Sequence, residues 1–212
     1  MVINWFKLIA ALALILTPMG IFHGKKVRLR AVARDWTGYW GQTFSLGLHW
    51  IDLGRAALGG LILLEAITLQ PGASSVYRYG VPLLHATVAG LGVLLQTFVC
   101  KERDHAHAPL AFVTGLAFGL FSPVVAGFSI LLALIASSGI RAPLVYFPIL
   151  GLALPGLSFL FDGRKNLLPS AAIGAVIVLP WLLTLMFPRD LVISYRARRV
   201  SGEDSSHLQP RR

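Results

Sequence analysis

Six apolar stretches of roughly 19 to 29 residues, separated by short polar or turn-forming links, constrain this chain more than any motif in it. A helix rises 1.5 Å per residue, so about 20 apolar residues cross a hydrocarbon core of ~30 Å. Only 13% of the 212 residues are charged, against about a quarter in a soluble domain, and 56% are hydrophobic. The predicted fold is therefore all-α, a polytopic transmembrane helix bundle. Its spans fall at about 2–22, 44–69, 79–100, 109–136, 142–161 and 167–188. One membrane domain accounts for residues 1–188. Residues 189–212 read as a basic polar tail, disordered from about Ser201.

The net charge of +10 does not point to nucleic acid. The basic residues flank apolar spans, where they meet anionic headgroups and set orientation. The expected partner is the lipid bilayer, of a bacterial-type inner or plasma membrane. After the first span come Lys25, Lys26, Arg28, Arg30 and Arg34. No small-residue cleavage site precedes them, so the first span reads as an uncleaved anchor with its N-terminus outside and 24–42 cytoplasmic. Over 26–40, Leu29, Val32, Trp36, Tyr39 and Trp40 share one side of a helical wheel and Lys26, Arg30 and Arg34 the other. That pattern predicts an interfacial amphipathic helix. The alternation from Val27 to Ala33 also fits a strand, but a lone strand would leave its backbone unpaired.

The charge count disputes the number of crossings. With six spans, nine Lys and Arg fall on each side, leaving out Arg55 inside span two. If span five entered and left on one face, the count would be thirteen against five. Pro143, Pro148 and Pro155 make that span the candidate for a break, so five spans plus a re-entrant segment is the alternative.

Intramembrane polarity concentrates in spans two and three. Span two carries His49, Asp52, Arg55 and Glu65, each costing about 2.5–3.5 kcal/mol at mid-bilayer on insertion scales. His85 and Gln96 lie on a matching face of span three. An antiparallel hairpin of these spans would bring Gln96 level with His49 and Asp52, giving a binding cluster of His49, Asp52, Arg55, Gln96 and, further along, His85. An Asp three residues from a His can orient the imidazole, and the nearby Arg holds the Asp ionised. The same residues also suit a self-satisfied structural network. Glu65 faces elsewhere and is expected to meet Arg78.

His105 and His107 follow Lys101, Glu102 and Asp104 in the link between spans three and four, a weak pattern for a metal. No metal or other cofactor is predicted. In span four, Ala111, Gly115, Gly119, Ser122, Ala126, Ser129 and Ala133 form one small-residue stripe that lets another helix approach closely. Pro123 beside it is expected to bend the helix. The stripe serves contacts within the chain, or an oligomer or membrane partner subunit. Motifs for zinc proteases, serine hydrolases and phosphate-binding loops are absent. The sequence leans away from an enzyme, toward binding or transport of a small solute, ion or lipid through spans two and three. The alternatives are an accessory subunit of a membrane complex, or a membrane enzyme acting on lipid or quinone with His49 and Asp52 as acid-base groups.

Overall fold

The computed structural model describes residues 1–18, 26–28, 46–69, 75–98, 105–163, 166–187 and 190–194. Seven α-helices are found among them: α1 (Trp5–Leu16), α2 (Gly47–Ala66), α3 (Ser75–Phe98), α4 (Leu110–Leu120), α5 (Pro123–Gly139), α6 (Tyr146–Phe161) and α7 (Leu167–Met186). Four are long and apolar enough to cross a membrane: α2, α3 from Tyr79, α6 together with the 3-10 turn Pro143–Val145 before it, and α7. The other three are apolar but shorter.

Short strands tie the helix ends together. Val2–Ile3 (β1) pairs antiparallel with Ile67–Thr68 (β3), joining the start of α1 to the end of α2. A second sheet has the order β2 (Lys26–Arg28), β5 (Asp190–Ser194), β4 (His105–His107). Its central strand, β5, runs antiparallel to β2 and parallel to β4. The sheet gathers the segments that follow α1, α3 and α7, the second of which leads into α4.

One expectation is corrected here, and one segment gains structure that was not foreseen. Lys26–Arg28 is strand, where an interfacial helix was expected over 26–40; residues 29–40 lie outside the described set. The objection to a strand was its unpaired edge, and a segment more than 160 residues away removes it: Lys26 faces Ser194 and Arg28 faces Val192 in the register. The tail, too, begins with structure. Leu191, Val192 and Ile193 are buried, and Ala108 N donates to Val192 O at 2.8 Å. The expected disorder beyond Ser201 lies outside the described residues.

Span four is two helices. Phe121 and Ser122 are extended (φ −124°, ψ 163° and φ −58°, ψ 145°), which ends α4. Pro123 explains the break, since its ring disfavours helical geometry in the residue before it while suiting the first position of a new helix. Span five, expected to be kinked or broken, holds one continuous helix. Pro143 opens the 3-10 turn and Pro148 sits in the first turn of α6, where an N–H has no helical partner to lose. Only Pro155 is internal.

Each helix packs chiefly on one or two neighbours, in the order α4, α2, α1, α3, α7, α6, α5. The predicted α2–α3 hairpin is not formed, because α1 lies between them. The stripe divides at the break. Gly115 and Gly119 face α2: a Cβ on Gly115 would fall against the Leu53 carbonyl oxygen and 2.9 Å from the Ala56 Cβ, and one on Gly119 would meet the Ala57 backbone. Ala126, Ser129 and Ala133 are buried on α5, which packs on α6. The small residues are thus used inside the chain.

Candidate functional site

The polar residues of α2 and α3 separate into two sites near opposite ends of the bundle. At the sheet end, Asp52 and Arg55 form an ion pair at 2.5 Å, with side chains 4% and 10% exposed. Arg55 reaches further, to α1. Its Nη1 donates to the carbonyls of Leu14 and of Thr17, the latter at 2.7 Å. Gln96 from α3 donates to the same Thr17 carbonyl at 2.7 Å. The guanidinium also lies 5.4 Å from the Phe112 ring centroid, a cation–π distance.

The local sequence explains this arrangement. Thr17 precedes Pro18, which disfavours helix there, and α1 stops after twelve residues. Its last carbonyls have no intrahelical donors, and hydrocarbon supplies none. Arg55 and Gln96 supply them from two other helices. Asp52, Arg55 and Gln96 are therefore brought together as expected from the sequence, but through the end of α1 rather than by direct packing of α2 on α3.

His49 is not a ligand of this pair in the hydrogen bonds described. It lines a small, largely apolar cavity of ≈ 80 Å³ with Trp50, Leu53, Leu110, Thr114 and Tyr146. Thr114 Oγ1 and Tyr146 Oη lie 2.7 Å apart there, tying α4 to α6. Glu65 pairs with Lys7 of α1 at 2.6 Å, with both side chains well exposed; the side chain of Arg78, its expected partner, lies outside the described set. Among the described residues no group of three His, Cys, Asp or Glu is placed to hold a metal. His107 is buried in β4, and the side chain of His105 lies outside the described set.

His85 belongs to the second site. Eleven residues before Gln96, it lies about 16 Å away along α3. It lines a cavity of ≈ 390 Å³, within the range of small-molecule sites. The polar wall comprises His85, Ser122 at the α4–α5 break, Ser158 and Asp162 at the end of α6, and Asn166 and Ser170 at the start of α7. Pro82, Phe121 and Ile173 contribute apolar surface. Asp162 is exposed and caps α6, while Ser158 and Ser170 are buried. The Ser122 and Ser158 hydroxyls face the two Asp162 carboxylate oxygens, each at 3.4 Å. His85 is 9% exposed; it bonds to the Ile67 backbone, and its Nε2 is buried without a hydrogen-bond partner.

Sequence reasoning missed most of this second site. Asp162 and Asn166 read as an ordinary link, and Ser122 as a packing residue. The available signal was Ser158 four residues before Asp162, one helical turn that places a hydroxyl beside a carboxylate at a span end. Nothing in the sequence brings His85 there. Comparison with family models, curated proteins and solved structures finds no match to this chain.

Proposed function

We propose that this chain is a multi-pass membrane protein that binds a small polar solute in the ≈ 390 Å³ cavity at the end of the bundle away from the three-stranded sheet. The observation that carries the reading is a cavity lined by a carboxylate, three serines and a buried histidine, one of whose ring nitrogens has no partner. A buried polar atom left unpaired costs about 1–3 kcal/mol, and a bound solute would recover it. The Asp52–Arg55–Gln96 cluster offers less to a solute, since Arg55 Nη1 and Gln96 are engaged by the end of α1 and Arg55 Nη2 by Asp52, leaving the buried Arg55 Nε without a partner. The accessory-subunit reading loses its main support, because the small-residue stripe is consumed within the chain.

The sheet supports an orientation. It requires the segments after α1, α3 and α7 to leave the bundle at one end. The α5 residues Ile130 and Leu134 share a cavity with Leu110 and Ile193, so α5 also heads toward that end, carrying Arg141. Counted along the sequence, fourteen Lys and Arg belong to the segments adjoining the helix ends on the sheet side and four, Lys7, Arg78, Arg164 and Lys165, to those adjoining the opposite ends. The bias places the sheet end in the cytoplasm and the solute cavity on the opposite face. The residue tie of a six-span count disappears because span four, rather than span five, turns back.

Thermal unfolding of the purified protein in mild detergent, with a panel of small amines, polyols and carboxylates, tests the reading. A solute at tenfold its Kd adds about 1.4 kcal/mol, or roughly 3–6 °C. At least one panel member should produce such a rise in the wild type and not in Ser122→Leu, which fills the cavity. A flat response across the panel, or an equal response in Ser122→Leu, would refute it.

A further inference from the structure

The hydrogen-bond inventory of the cavity wall fixes the kind of solute it can take. A serine hydroxyl has one proton and two lone pairs. The Ser122 proton is directed at one Asp162 oxygen and the Ser158 proton at the other. Ser170 gives its proton to the main-chain carbonyls of Asn166 and Leu167, at 2.7 and 3.0 Å. His85 bonds to the Ile67 backbone, and its Nε2 is buried without a partner. The serine hydroxyl protons described in the wall are all directed at the protein. Asn166, also in the wall, brings a side-chain amide that both donates and accepts, and the charge in the wall is the carboxylate of Asp162.

Helix ends of both signs meet at this site, the C-terminus of α6 and the N-terminus of α7, and so do not decide the charge preference. Asp162 does, since no Lys or Arg lines the cavity among the described residues. Resting on the solute-site reading above, we infer that the cavity selects an organic solute bearing a primary ammonium group, with N–H donors set against the accessible oxygens of Asp162, Ser122 and Asn166. The volume favours a molecule of several carbons over a bare inorganic ion.

Three solutes of one length separate the alternatives: 4-aminobutan-1-ol, butane-1,4-diol and 4-hydroxybutanoate, differing only in an ammonium, a hydroxyl or a carboxylate at one end. Their affinities for the full-length protein in mild detergent are to be measured by calorimetry. The amine should bind at least tenfold more tightly than the diol, and the carboxylate least. Asp162→Asn should weaken the amine tenfold or more while changing the diol less than twofold. Asp162 is exposed, so this variant is expected to fold, and the order within the wild type provides a test that needs no variant. A cavity governed by Arg164 and Lys165, which follow Asp162 in sequence, would reverse the order to carboxylate first. That reversal, or equal binding of amine and diol, overturns the ammonium assignment and leaves the solute site standing. Absence of binding by all three, together with a flat panel in the thermal experiment, overturns both.

Discussion

Replacing Arg55 by Met should destabilise the protein more than any other single change in the sheet-end cluster. Met retains an apolar stem to pack beside Phe112 and removes the guanidinium. Three acceptors lose a donor: the Leu14 carbonyl, the Thr17 carbonyl and the Asp52 carboxylate. Breaking a buried ion pair by removing one partner costs about 3–5 kcal/mol, and an orphaned carbonyl about 1–3 kcal/mol. These terms share one side chain and do not add in full, so about 4 kcal/mol is a fair expectation, with Thr17 still served by Gln96. Asp52→Asn should cost less, about 1–2 kcal/mol, because Arg55 keeps both carbonyls of α1. Gln96→Leu should cost about 1 kcal/mol, since Arg55 still donates to Thr17. Thermal unfolding in one detergent, with intrinsic tryptophan fluorescence as the readout, gives the order directly. For a chain of this size the Arg55→Met midpoint should fall by roughly 8–16 °C. An Arg55→Met midpoint within about 3 °C of wild type, or a larger fall for Asp52→Asn, would refute the idea that Arg55 caps α1.

Gly115→Ala should destabilise by about 1–3 kcal/mol or more, because the added methyl meets the Leu53 carbonyl and Ala56 across the α2–α4 seam, and a midpoint unchanged within 2 °C would count against that packing. A reporter active only in the cytoplasm, fused after Arg212, should be active, as should one inserted at Arg103; activity at one fusion and silence at the other would contradict a shared sheet end.

Apolar length and charge depletion alone determined that this is a mostly helical chain with helices long and apolar enough to cross a membrane. Lipid cannot satisfy backbone groups, so long apolar runs must pair them internally as helices. The sequence also located the polar residues of α2 and α3 and the close-packing glycines, because burial in hydrocarbon makes both conspicuous. Partners were a different matter. Residues 26–28 looked unpartnered because their strand neighbour lies beyond residue 189, and pairing between distant segments leaves no local pattern. Pro123 was visible, but whether a proline bends a helix or reverses the chain depends on what the two halves then pack against: here α2 for Gly115 and Gly119, and α6 for the rest. The cluster of Asp52, Arg55 and Gln96 could be anticipated as a group, yet the main-chain carbonyls that organise it have no residue type to betray them. The cavity around His85 was the least legible feature. Its walls come from α3, the α4–α5 break, α6 and α7, and each contributes one or two polar residues that are unremarkable alone. Only the tertiary fold sets a carboxylate, three serines and an unpaired imidazole nitrogen around one space, because a cavity is a property of what several helices fail to fill.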